Sequence, residues 1–305
     1  MGLSTTVVIS TYNGQKYIEE QLDSIRQQSQ TPDEVIIVDD CSTDKTVLLI
    51  ENYIKNFKLQ NWHLTINESN KGWEKNFMDG ISVAKSDLIF PCDQDDYWYP
   101  DKIKIMSKLM TDNQEIDVLT SNYHKNYASE GHSEIKSPSD NHVHKIPVQS
   151  SFMRVDYPGC AYCVRASFFR RIQELWFAGC PHDALLWRAA MFNDGLYKVN
   201  MNLIEWRQHS DSAFKKQNKN KSYQYQLDYL EYNEKVLRQL KRWIKITGFK
   251  KYSHYLDKQY RLLQFRERFY RTKNPLIIFS LLKRLSYYPK KKSILRDIYT
   301  VYLLK

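Results

Sequence analysis

Four short apolar runs, separated by segments of helical period, occupy the first 93 residues and constrain the fold more than any other feature of this chain. Residues 5–10, 34–38, 63–66 and 87–92 read as strands. Between them, residues 15–28 carry Ile18, Leu22 and Ile25 on one helical face, and residues 43–57 and 72–84 are also expected to be helical. Asn13-Gly14 marks a turn after the first strand, and Asp39-Asp40-Cys41-Ser42 is a helix-start signal after the second. Strands alternating with helices of this length predict parallel pairing and right-handed crossovers, hence an α/β fold with a mostly parallel sheet flanked by helices. In such open sheets, ligands bind beyond the carboxyl ends of the strands. Three of the four runs end in polar clusters: Thr11-Tyr12-Asn13, Asp39-Asp40 and Asp93-Gln94-Asp95-Asp96. These clusters are expected to converge on one edge.

The charge is unevenly placed. Of the 45 Lys and Arg, 24 follow residue 214, against 6 of the 35 Asp and Glu. Residues 1–214 therefore carry a net −8 (21 basic, 29 acidic) and residues 215–305 a net +18, which together make the overall +10. This predicts a catalytic domain over 1–214 and a separate basic part over 215–305 that needs an anionic neighbour, either nucleic acid or a membrane surface. Residues 221–305 read as helices broken near Gly248, Pro275 and Pro289, and 12 of the chain's 22 tyrosines fall after residue 214. The run Leu276-Ile277-Ile278-Phe279 with Leu281 and Leu282, followed by Lys283-Arg284 and Lys290-Lys291-Lys292, suits shallow insertion beside anionic lipid. The alternative is a helical appendage packed on the acidic part. The chain has no run of 18 apolar residues and no basic leader at its start. With five scattered cysteines read as reduced thiols, this places the protein in the cytoplasm, peripheral at the inner face of the cell membrane.

Asp93-Gln94-Asp95-Asp96 is the sharpest chemical signal. Three carboxylates in four residues repel one another, and a hard divalent cation, Mg²⁺ or Mn²⁺, relieves that repulsion while leaving positions open for phosphate oxygens. The competing reading is an acidic surface turn. Asp39-Asp40 stands evenly between helix capping and contact with a ribose or base. Residues 123–149 are polar, hold His124, His132, His142 and His144, and read as a loop or flap; His142 and His144 lack a thiol or carboxylate at ligand spacing. Cys160 and Cys163 form a lone CxxC, weak for zinc or redox chemistry. Asp183 precedes an expected helix at 184–191, where capping is the plain structural reading.

Several of these stretches carry a resemblance. Val8-Ile9-Ser10-Thr11-Tyr12-Asn13-Gly14, then Val38-Asp39-Asp40-Cys41-Ser42-Thr43-Asp44, then Asn70-Lys71-Gly72, then Asp93–Asp96 followed by Trp98, Pro100 and Lys102, look like glycosyltransferase family 2 with its GT-A fold. The form Asp93-Gln94-Asp95-Asp96-Tyr97-Trp98-Tyr99-Pro100-Asp101-Lys102-Ile103 is similar to its bacterial rhamnosyltransferase-like branch. Cys41 departs from the glycine often found there. The resemblance implies that Thr11, Tyr12, Asn13, Asp39 and Asp40 hold the nucleotide, that Asp93 faces ribose or metal, and that Asp95, with Asp93 and His209, binds the metal bridging the diphosphate. It further implies that Asp183 is the catalytic base and that Gly159, Cys160, Asp96, Trp98, His182 and Arg207 are candidate donor or acceptor contacts. The implied activity is metal-dependent, inverting transfer of a sugar, rhamnose favoured, from a dTDP- or UDP-linked donor to a saccharide acceptor, lipid-linked, in cell-surface polysaccharide or capsule synthesis.

Two rival readings remain. A nucleotidyltransferase would need a Gly-rich basic phosphate loop after the first strand, where this chain has Thr11-Tyr12-Asn13-Gly14-Gln15. A nucleic-acid-binding protein is suggested by the basic tail, which carries no finger, RNP or zipper signature.

Overall fold

Buried on both faces, residues of the first strand alternate with no polar face, as a central strand of a parallel sheet must. In the computed structural model this strand is β1 (Thr5–Thr11), followed by α1 (Ile18–Arg26), β2 (Glu34–Asp39), α2 (Thr46–Asn56), β3 (Trp62–Ile66), α3 (Trp73–Val83) and β4 (Leu88–Asp93). The structure describes residues 2–127, 132–135 (backbone only), 140, 142–208 and 222–304. The second half of the sheet comes from β5 (Tyr97–Trp98), β6 (Val118–Tyr127), β7 (His132–Ile135), β8 (Val143–Lys145), β9 (Tyr162–Arg165) and β10 (Leu196–Gln208). Helices α4 (Lys102–Asp112), α5 (Ala166–Ile172) and α6 (His182–Phe192) intervene.

The sheet order is β3-β2-β1-β4-β9-β6-β10-β5, with β7 beside β6 and β8 beside β10. The first four strands pair in parallel, as the βαβ spacing predicts, and β6 pairs in parallel with β10. The shorter ladders, β4–β9, β6–β9, β6–β7, β10–β5 and β10–β8, are antiparallel. The register places Thr11 beside Asp39 and Ser10 beside Asp93, so the three polar clusters do end at one edge. The polar stretch expected as a loop over 123–149 instead supplies the end of β6 and all of β7 and β8; a strand with one face open to solvent reads as polar. His144 pairs with the carboxylate of Asp140 at 3.3 Å, a partner that spacing alone did not suggest.

The described residues fall into two units. One comprises residues 1–146, 157–190 and 195–210; the other comprises 147–156, 191–194 and 211–305. The boundary expected at 214/215 lies outside the described residues. The second unit is helical: α7 (Tyr223–Thr247), α8 (Ser253–Thr272), α9 (Ile277–Leu282) and α10 (Ser293–Leu303). Ser222 caps α7 by accepting from the amide of Tyr225 at 3.1 Å, and Gly248 ends it at φ +75°, a left-handed conformation natural to glycine. Leu237 and Trp243 of α7 and Leu262 and Phe269 of α8 are fully buried. Within this core Arg266 donates to both oxygens of Asp297 at 2.8 Å, and Tyr270 and Tyr288 donate to the same carboxylate at 2.9 and 2.7 Å. No helix among the described residues is long and apolar enough to cross a membrane.

Candidate active site

The loop after β1 is held from below by carboxylates. Thr11 donates to Asp39 at 2.7 Å, and Ser42 donates to the same carboxylate through its amide at 2.7 Å and its hydroxyl at 2.6 Å. Asn13, at φ +49°, accepts from the amide of Thr43 at 2.8 Å. Cys41 stands at φ +64°, which explains why glycine suits this place. Asp40 accepts from Asn67 (2.9 Å) and from the amides of Lys71 (2.8 Å) and Gly72 (2.9 Å). Thr11, Asp39 and Asp40 are all buried. They tie the loops after β1, β2 and β3 together, because a buried carboxylate needs donors and the nearby amides supply them. Tyr12 is exposed on the same loop, with its amide donating to Gln94 at 2.8 Å and its carbonyl accepting from Gln94 at 3.0 Å. Gln94 thereby clamps this loop to the acid cluster, a role not expected from the sequence.

The acid cluster divides by exposure. Asp93 and Asp95 are half-buried, whereas Asp96 is 1% exposed. Asp96 accepts from the amide of Arg207 at 3.0 Å through one oxygen; its other oxygen is buried and, among the described residues, has only the Cys160 thiol beside it. Burial, then Asp95, push the Asp93 carboxyl up to about 7. Burial, then Asp95 and Asp93, raise Asp96 well above the carboxylate range. One ligand atom each from Asp93, Asp96 and Cys160 lies within 4.8 Å of the others. That set differs from the expected Asp93, Asp95 and His209, and His209 lies outside the described residues. The cluster nevertheless suits a divalent cation: it offers carboxylate oxygens whose burial and mutual repulsion disfavour their charge until a cation arrives.

Behind it sits a lysine of the same sequence motif. Lys102 is fully buried, donates to the carbonyl of Cys160 at 2.5 Å, and lies 3.4 Å from the ring centroid of Trp98. Burial lowers its ammonium to about 8, against the pull of the neighbouring thiols and Asp96. Trp98 itself is 0% exposed and paired through β5 to β10, so its ring packs in the core. The Arg207 guanidinium, expected at the ligand, instead meets Glu20 at 2.8 Å and the ring of Tyr17 at 4.7 Å.

Asp183 enters from α6. It is half-buried at the first turn, and burial pushes its carboxyl up to about 6. A Cβ on Gly159 would stand 3.0 Å from Asp183, and the next residue, Cys160, lies within 4.8 Å of Asp93 and Asp96, so α6 brings Asp183 to the side of the acid cluster, where its charge helps raise Asp93. Asp183 accepts from the amide of the next residue, Ala184, at 2.6 Å. His182 stacks on Phe77 at 4.0 Å and is 3% exposed; burial lowers its imidazole to about 3, so it is neutral. Gly159 lies against both: a Cβ there would stand 2.6 Å from the His182 ring and 3.0 Å from Asp183. The glycine is needed for this close approach.

Residues 6–172 match the family described as Glycosyl transferase family 2, more than half of the chain. The chain belongs to this family. It is 34% identical over 222 residues to the dTDP-rhamnosyl transferase RfbG of Shigella flexneri, covering 67% of this chain and 72% of that one. It is also 34% identical over 116 residues to the poly(ribitol-phosphate) beta-N-acetylglucosaminyltransferase TarS of Staphylococcus aureus (strain Mu50 / ATCC 700699), 37% of this chain and 20% of that one. The structure of S. aureus TarS 1–349 in complex with UDP-GlcNAc superposes with a TM-score of 0.64 over 98% of this chain and 90% of that one, at 18% identity. The fold is thus that of the GT-A glycosyltransferase, with a helical C-terminal part, and the chain is a glycosyltransferase of the branch that resembles the rhamnosyl enzymes.

Proposed function

We propose that this glycosyltransferase moves a sugar, rhamnose in the favoured reading, from a nucleoside-diphosphate donor to a hydroxyl of a lipid-linked saccharide, with inversion, in the building of a cell-surface polysaccharide at the cytoplasmic face of the membrane. The observation that carries this is the placement of Asp183, at about 6, beside the Asp93–Asp96 cluster on the carboxyl edge of β1, β2 and β4. Rhamnose is favoured because the S. flexneri relative, by its name a dTDP-rhamnosyl transferase, shares 34% identity across 67% of this chain.

Asp93 and Asp95, the two half-buried carboxylates, would hold Mg²⁺ or Mn²⁺, with the buried Asp96 behind them. Such a cation, when bound, supplies charge neutralisation for a departing diphosphate. The protein's own residues do the rest. Tyr12 is exposed at the loop after β1, where a base can stack. Asp183 takes the proton from the acceptor hydroxyl; the oxygen bonds to the anomeric carbon as the bond to the diphosphate breaks, and the nucleoside diphosphate leaves. Lys102, inside the fold, offsets part of the carboxylate charge. The test is to incubate the protein with dTDP- and UDP-linked sugars and measure release of nucleoside diphosphate. Release from a dTDP-deoxyhexose in preference to UDP-hexoses supports the reading; release from none of them contradicts it.

A further inference from the structure

The C-terminal helices expose an apolar surface within a field of a single charge sign. Leu276 (70% exposed), Phe279 (67%), Leu295 (65%) and Leu303 (69%) stand out from α9, its entry and α10, with Leu282, Tyr299 and Tyr302 beside them. Spacing explains why. In α10, residues 295, 299, 302 and 303 share one helical face, while Ile294, Asp297 and Val301 face inward. In α9, Ile277 and Leu281 are buried and Leu276, Phe279 and Leu282 are left outside. The two faces are linked, since Tyr302 of α10 donates to the carbonyl of Lys273, three residues before Leu276. From residue 268 to 304 the sole carboxylate is Asp297, which is buried and bonded to Arg266. Lys273, Lys283, Lys290, Lys291, Lys292 and Arg296 are all exposed around the apolar residues.

We propose that this surface docks on an anionic lipid bilayer, with Leu276, Phe279, Leu295 and Leu303 entering the interface and the lysines meeting the headgroups. Water is a poor environment for four large side chains this exposed, and a bilayer boundary satisfies both the apolar residues and their basic rim. Nucleic acid would use the charge and leave the leucines unexplained. A second copy of the chain would bury the leucines and leave the basic rim facing its own kind. The inference rests on the proposed work at a membrane face, but vesicle binding is read without turnover, so the two fail separately.

The experiment is sedimentation of the full chain with vesicles of phosphatidylcholine alone or mixed with phosphatidylglycerol, at low and high salt, with duplex DNA as a competitor. Three proteins are compared: the natural chain, the variant Lys290→Gln/Lys291→Gln/Lys292→Gln, and the variant Leu276→Ser/Phe279→Ser/Leu295→Ser/Leu303→Ser. All substituted side chains are exposed, and melting temperatures check that the folds are equal. The natural chain should bind the anionic vesicles strongly and the neutral ones weakly. The lysine variant should bind on the order of 100-fold more weakly, from the usual worth of three surface lysines. The apolar variant should bind weakly and lose whatever attachment survives high salt. Equal binding by all three proteins overturns the proposal. So does release by DNA with no effect of the apolar variant, or a change in oligomeric state of that variant with its vesicle binding intact. Absence of vesicle binding by a chain that still releases nucleoside diphosphate overturns this inference alone.

Discussion

Replacing Asp183 by asparagine removes the proposed proton acceptor while keeping an oxygen for the Ala184 amide, which Asp183 meets at 2.6 Å. A positioned general base contributes about 10²–10⁴-fold, so the rate of nucleoside diphosphate release, with water or a saccharide as acceptor, should fall by that factor. Donor affinity should be nearly unchanged. The change in stability should stay below about 1 kcal/mol, because a helix-start acceptor is retained. The natural enzyme should also show an acid limb. Burial holds the folded Asp183 at about 6, above its ordinary value, so it is ionised and able to accept a proton only above that pH. Below it the rate should drop about tenfold per pH unit, and Asp183→Asn should flatten the limb. The assay is release of nucleoside diphosphate over pH 4–9, with a thermal melt of each variant alongside. If Asp183→Asn melts several degrees lower and turns over at the natural rate, the carboxylate serves the helix start and the reasoning fails.

Three further outcomes follow from the packing. Gly159→Ala should cut turnover and cost about 1–3 kcal/mol of stability, since its Cβ would stand 2.6 Å from the buried His182 ring and 3.0 Å from Asp183; kinetics and melting of the variant check this. Asp297→Ala should cost about 3–5 kcal/mol in urea unfolding, because Arg266 would stay buried without its partner. Cys41→Gly, at φ +64°, should leave stability within about 1 kcal/mol of the natural chain or raise it, and a marked loss would contradict the backbone reading.

The parallel half of the sheet was legible because its strands are local and its helices periodic. β1, β2 and β4 lie near where their apolar runs suggest, and their polar ends meet at one edge. The insertion of β9 between β4 and β6 was not legible, because an antiparallel pairing such as Leu88 with Arg165 leaves no local trace in either segment. The acid cluster was visible, but the division of labour within it was not. Asp40 and Asp39 look alike in sequence to any ligand-facing acid; only the amides of Ser42, Lys71 and Gly72 reveal that both face inward. Trp98 and Lys102 share a motif with the cluster, yet stacking and a carbonyl bond bury them behind it. A lysine's burial depends on what covers it, and that is supplied by a distant segment, Cys160.

If the Asp93–Asp96 cluster and the edge above it form one site for a divalent cation and a nucleoside diphosphate, the two ligands bind cooperatively. The most direct measurement is the melting temperature with Mn²⁺ alone, with dTDP or UDP alone, and with both, repeated in the double variant Asp93→Asn/Asp95→Asn. Binding to the folded state alone raises stability by about 2.7 kcal/mol at 100 times Kd, which a melt resolves. Metal and nucleotide together should stabilise the natural chain more than the two separate effects combined, and the variant should lose this excess. Nucleotide stabilisation that ignores both the metal and the variant would contradict a single shared site.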